Sequence, residues 1–170
     1  MPRLIKGESL IDDNWTWIEA KDAGLADLPA GNVIVPLALW LAERDTLLAR
    51  GNACGVWLDS DEEAEALADD VSRLAVIGLH FPAFADGRNL SNAVLLRTRF
   101  DFTGELRALG DVARDQLSYM RRCGIDAFQI PAGRNPEHEV AGLTVMRDYY
   151  QGDVIEPRPL FRRAPRAEAG

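Results

Sequence analysis

Histidine and cysteine are scarce in this chain, with two of each among 170 residues. Cys54 and Cys123 stand far apart, too few for a disulfide framework or a thiolate metal site. No apolar run approaches the roughly 18 residues that a membrane span needs. The opening MPRLIKGESLIDDNW has no apolar core followed by small residues, so no secretory signal is expected. Both thiols are therefore expected to be reduced in a cytoplasmic protein. Absent too are the glycine-rich dinucleotide and phosphate loops, paired-histidine zinc helices, paired-cysteine motifs and the serine-hydrolase elbow. Those absences argue against common nucleotide, zinc, cluster and serine chemistry, and no metal or cofactor is implied. Positive charge is thin in the first half: residues 1–75 carry 15 acids and 6 bases, a net of −9, whereas the remainder nets +1. This balance argues against nucleic-acid binding, which favours a basic face. It leaves either a solvated acidic surface or one that steers toward a basic partner.

What is present fits one domain. Apolar residues make up 47% and charged residues 27%, ordinary for a globular chain large enough to bury a core. Residues 1–30 read as an irregular or β preface, with Trp15 and Trp17 on one face of a short strand. A strand-then-helix grammar runs through residues 31–152. The strands are Val33–Val35, Gly55–Leu58, Leu74–Leu79, Gly104–Leu109 and Asp126–Ile130. The helices run from Pro36 to Arg50, after Asp61, from Asn89 to Arg99, from Asp111 to Cys123, and from Pro136 to about Tyr150. Five such units predict an α/β fold with an open parallel sheet or a partial (half) TIM-like barrel, behind a short N-terminal β segment. Residues 153–170, rich in Pro and Arg, read as a loosely tied tail.

In either architecture ligands sit outside the carboxyl ends of the strands. That rule selects His80, Asp86, Gly87 and Arg88 after one strand, and Asp111, Arg114 and Asp115 after the next. Each has a bland alternative. Asp86-Gly87-Arg88 is either a tight turn with a local ion pair or a fork for an oxyanion. His80 is a general base or a packing residue. Asp111 is a helix cap or part of an anion site. Arg114 and Asp115 form a solvated helix face or an interaction surface. Arg107, inside a strand, is either paired with a carboxylate, with Glu105 on the same face, or an anion ligand at the mouth of the sheet.

The central stretch also carries a set of words in fixed order. They are Phe81-Pro82-Ala83-Phe84, Asp86-Gly87-Arg88, Leu96-Arg97, Gly104-Glu105-Leu106-Arg107-Ala108, Arg114-Asp115-Gln116-Leu117 and Arg122-Cys123-Gly124-Ile125-Asp126-Ala127-Phe128. With these words the chain resembles the bacterial domain-of-unknown-function family 934. The family pattern leads us to expect glycine and an aromatic where Asn89-Leu90 stands here. The family is commonly encoded beside assimilatory sulfite reductase and the enzyme that reduces activated sulfate. Some members are labelled oxidoreductases without an established activity. The resemblance implies a role in sulfur assimilation and assigns no catalytic residue. Two functions are weighed: an accessory protein docking on sulfite reductase through its acidic half, or a small enzyme or sensor for an oxyanion or phosphorylated metabolite. A flavin or nicotinamide oxidoreductase is the third.

Overall fold

The computed structural model describes residues 3–51, 53–146 and 148–163. Its eight strands form one sheet in the order β2-β1-β8-β7-β6-β5-β4-β3. Strands β1 (Arg3–Lys6) and β2 (Ser9–Asp12) make a hairpin, and β3 (Trp15–Trp17) follows at once. The parallel body is β4 (Asn32–Pro36), β5 (Cys54–Leu58), β6 (Val76–Phe81), β7 (Glu105–Gly110) and β8 (Ala127–Gln129).

The fold is mixed α/β, and the expected five-unit parallel sheet needs two corrections. The sheet is mixed, because β1 lies antiparallel to both β2 and β8. Three full crossover helices form: α1 (Leu37–Leu48), α2 (Arg88–Thr98) and α3 (Arg114–Arg122). Between β5 and β6 the expected helix is two short 3-10 turns, Ala64–Leu67 and Val71–Arg73. The chain turns there to bury Asp70, which accepts from the Trp40 indole at 2.9 Å and pairs with Arg44 at 2.7 Å. The last helix is one turn, α4 (Pro136–Glu139), running into a 3-10 turn over Val140–Thr144. Gly142 lies so close to the Arg114 carbonyl that a Cβ would sit 2.2 Å from it.

Strands β4 to β8 follow one another in space as in sequence, so every crossover steps the same way and the helices share one face. The period of two then sorts the side chains. Val33, Val35, Val56, Leu58, Ile77 and Leu79 join Trp40, Leu96 and Leu117 in the helix-side core. Ile34, Trp57, Val76 and Leu109 point the other way, against Trp15 and Trp17.

That second face is the inside of a curl. β2 and β3 are the two edges of the sheet, yet only Asp13 and Asn14 separate them. Three peptide steps span at most about 11 Å, whereas the edges of a flat eight-stranded sheet lie roughly 33 Å apart. The sheet must therefore bend round on itself. Asp13, at the joint, pairs with Arg107 of β7 at 2.8 Å, and Arg107 also holds Glu105 at 2.6 Å. Lys6 of β1 closes the chain of charges on Glu105 at 2.8 Å. Gly78 makes room on this face, for a Cβ there would lie 2.6 Å from Leu109 and 2.9 Å from Trp57. Among the described residues no helix is long and apolar enough to cross a membrane.

Candidate functional site

The carboxyl ends of β5 and β6 bring together a charged cluster. Asp59 follows β5 directly, and one of its oxygens accepts from the Ser60 amide and from His80 Nδ1, both at 2.8 Å. Its other oxygen pairs with Lys21, which also approaches Asp61 at 3.7 Å. Two buried asparagines of α2 fix the strand ends that carry this pair. Asn89 donates to the Leu58 and His80 carbonyls at 3.2 and 2.7 Å, and Asn92 donates to Asn89 at 2.8 Å.

Burial pulls the Asp59 pKa up, but hydrogen bonds from Lys21, His80 and Ser60 outweigh it and the net shift is downward. Asp59 is thus an anion that can only accept, so Nδ1 of His80 carries the proton. Nε2 is then the basic nitrogen, and among the described residues it has no hydrogen-bond partner. The ring stands between Trp17 and Trp57, each 5.5 Å away between centroids. It also lies over Gly110, whose φ of +92° and missing Cβ are both required there. About a fifth of the His80 side chain is exposed. The Trp17 indole nitrogen is buried without an acceptor.

Asp86, Gly87 and Arg88 border the same cluster. Arg88 grips Asp86 through Nε at 3.0 Å and Nη2 at 2.7 Å, and Nη2 reaches Ser60 Oγ at 2.7 Å. The Arg88 hydrogen bonds hold the Asp86 carboxyl well below the usual carboxylate range. The Asp86 side chain also accepts from the Arg88 amide at 3.2 Å, the geometry of a local turn. Gly87 precedes the first residue of α2.

The other candidates go elsewhere. Arg107 is buried between Asp13 and Glu105 and shares no partner with Arg88. Asp111 does not cap α3, whose cap is Ala113 with Gln116 reaching back at 3.2 Å. Asp111 instead accepts from the Phe84 amide at 3.0 Å and from Arg134 at 3.1 Å, tying the loop after β6 to the loop after β8. Arg114 contacts His138 at 3.0 Å. Asp115 borders a separate hollow with Arg114, Gly142 and Met146.

Sequence reasoning missed Asp59 and Lys21 as members of the site. Asp59 was legible as a strand-end residue, but nothing marks Lys21, which arrives from the irregular preface. Among the described residues no three His, Cys, Asp or Glu side chains converge as metal ligands would. Two of the sequence words prove to be scaffold. Arg97 donates to the carbonyls of Phe102, Gly104 and Gly124 and pairs with Asp126 at 3.2 Å, and Asp126 in turn accepts from the Leu106 amide.

A family model described as a bacterial protein of unknown function (DUF934) matches residues 55–161, more than half of the chain. No curated protein matched the sequence.

Proposed function

We propose a function from one premise: this chain belongs to the bacterial DUF934 family, whose description assigns no activity. The cluster at the ends of β5 and β6 is a proton-transfer site for a small oxyanion, working within assimilatory sulfate and sulfite reduction. The observation that carries this reading is the 2.8 Å contact between Asp59 and His80 Nδ1, which leaves Nε2 as base. With Nδ1 donating to Asp59, the lone pair of Nε2 is the one left to accept a proton or a hydrogen bond. Arg88 and Lys21, both largely exposed, border the cluster, each paired with a carboxylate, Asp86 and Asp59 respectively, that an oxyanion would have to share or displace. Sulfur assimilation enters through the family's company and not through this geometry. The sequential parallel order of β4 to β8 supports the finer fold reading, half of a TIM-like barrel.

Thermal shift against sulfite, sulfate and nucleotide sulfates tests the proposal. A ligand at about 100 times its Kd adds about 2.7 kcal/mol, or roughly 5–11 °C for a domain of this size. His80→Gln is expected to lose the shift, measured against that variant's own ligand-free midpoint. No shift from any of these anions, or an equal shift in His80→Gln, would remove the reading.

A second reading, an accessory role docked on sulfite reductase, has its own support. Glu19, Asp22, Asp61, Glu63, Glu65 and Asp69 are all exposed in the acidic half. Titration with the reductase at rising salt would weaken such binding steadily. Absence of binding at low salt would dismiss it.

A further inference from the structure

Among the described residues twelve large apolar side chains are exposed, and half of them crowd into one short stretch: Val145, Met146, Tyr150, Ile155, Leu160 and Phe161. That stretch folds back across α3. Arg122 donates from Nε to Asp153 at 2.9 Å and lies 4.2 Å above the Tyr149 ring. The Val154 amide donates to the Arg122 carbonyl at 3.2 Å, and the Tyr149 hydroxyl hydrogen-bonds Ser118. Asp153 turns the chain by accepting from the amides of Ile155 and Glu156, at 2.9 and 2.8 Å. The backbone is tied down while its apolar side chains stay open to solvent. A surface ordered before it meets a partner costs less to bind.

The exposed groups form one connected face. The rings of Tyr150 and Phe161 meet at 6.2 Å between centroids, and the Leu160 amide donates to the Tyr150 carbonyl at 3.0 Å. Met146 and Ile155 border one hollow with Tyr149. Tyr119 of α3 borders another with Pro157 and Pro159. Arg122 borders both hollows and so joins the two halves of the face.

Size and charge select the occupant. An aromatic side chain offers about 150–250 Å², so Tyr119, Tyr150 and Phe161, at 57%, 66% and 61% exposure, leave roughly 300–450 Å² open. A standard interface takes about 800 Å² from each partner, about 65% of it apolar between identical subunits, or roughly 500 Å². With the four aliphatic side chains added, the face reaches that figure. Residues 148–163 set Asp148, Asp153 and Glu156 against Arg158, Arg162 and Arg163, three acids to three bases. Residues 1–75 net −9, so two copies meeting through that half would repel. A neutral apolar face brings no such penalty, and it steers toward neither an acidic nor a basic stranger. Its Tyr, Phe, Met and Arg are the types that interfaces enrich, while Lys6 and Lys21, the chain's two lysines, lie elsewhere.

We propose that this face pairs with the same face of a second copy of the chain across a two-fold axis, the commonest closed arrangement. It shares no residue with the His80 cluster, so the dimer and the proton-transfer reading stand or fall separately.

Sedimentation velocity of the full chain at rising concentration tests it. Interfaces of this size bind with micromolar or lower Kd, so the dimer is expected to dominate at about 100 μM. It is expected to survive about 1 M salt, where the Debye length is about 3 Å. Tyr150→Asp and Phe161→Asp are each expected to raise the dimer Kd about tenfold or more. Leu41→Asp, at a half-exposed apolar position on α1, is expected to leave it unchanged. A monomer at that protein concentration, a dimer dissolved by salt, or wild-type association in both ring variants overturns the proposal. Because a new charge also perturbs the segment, the methyl resonances of Met146 and Ile155 should be followed in the unaltered protein. They are expected to move with protein concentration while those of Leu41 hold still, and any other pattern overturns the assignment.

Discussion

Arg107→Ala is the most severe single change that the structure points to. The Arg107 side chain is 1% exposed, and its partners Asp13 and Glu105 are 4% and 8% exposed. Truncation leaves both carboxylates without the guanidinium. Glu105 keeps Lys6 at 2.8 Å, so the orphan charge is Asp13, left with only the Trp15 amide at 3.1 Å. Removing one partner of a buried pair costs about 3–5 kcal/mol, because the other charge stays desolvated. Typical domains hold only about 5–15 kcal/mol in total. At about 2–4 °C per kcal/mol for this size, the midpoint should fall roughly 6–20 °C. Urea unfolding followed by tryptophan fluorescence suits the test, since Trp15, Trp17 and Trp57 share the same face. Adding Asp13→Asn to Arg107→Ala removes the orphan charge, so the double variant should lose less than the sum of the singles. A loss below about 1 kcal/mol, or strict additivity, would refute the argument that a desolvated charge at the joint sets the cost.

Asp59 has a lowered pKa in the fold, so its contribution to stability is present above the unfolded value and fades as pH falls through the folded one. Asp59→Asn should therefore flatten the acid limb of a stability–pH curve, and an unchanged limb would show that the carboxylate is not so held. Gly78→Ala should cost about 1–3 kcal/mol by overpacking Leu109 and Trp57, read from the urea midpoint, and a neutral result would mean the inner face is loose. Burial pushes the Cys54 thiol up to about 11 and raises Cys123 as well. Native protein at pH 8 should then label with a thiol reagent only as fast as it opens, and prompt labelling of both cysteines would contradict their burial.

The five parallel strands were legible because each is a short, nearly continuous apolar run covered on both faces. Val33–Val35 and Gly55–Leu58 fall within β4 and β5, while the run read as Leu74–Leu79 became Val76–Phe81. A short N-terminal β segment was legible and forms, but the bounds of its hairpin and its pairing with β8 were not. Arg3–Lys6 and Ser9–Asp12 carry too few apolar residues to show a period, and a partner more than 100 residues away gives the local sequence no mark. Helix length misled for the same reason. The apolar spacing of Ala64, Leu67 and Val71 suits a helix, but burying Asp70 against Trp40 dictates the turn. At the candidate site the rule of strand ends found His80 and Arg88. Arg107, third along β7, shares a face with Glu105 two residues before it and points into the curl; the pairing with Glu105 was legible from that shared face, the pairing with Asp13 was not.

The first strand pairs with the last: Ile5 lies opposite Phe128 and Lys6 opposite Ala127. A growing chain therefore cannot seat β1 against β8 until residues 127–129 have been made. Until then β1 has only β2 beside it, and a lone two-stranded hairpin is marginal in water. Loop closure over such a span comes late and slowly. Until β1 docks, one edge of β8 stays unpaired, and an open strand edge of that kind favours aggregation.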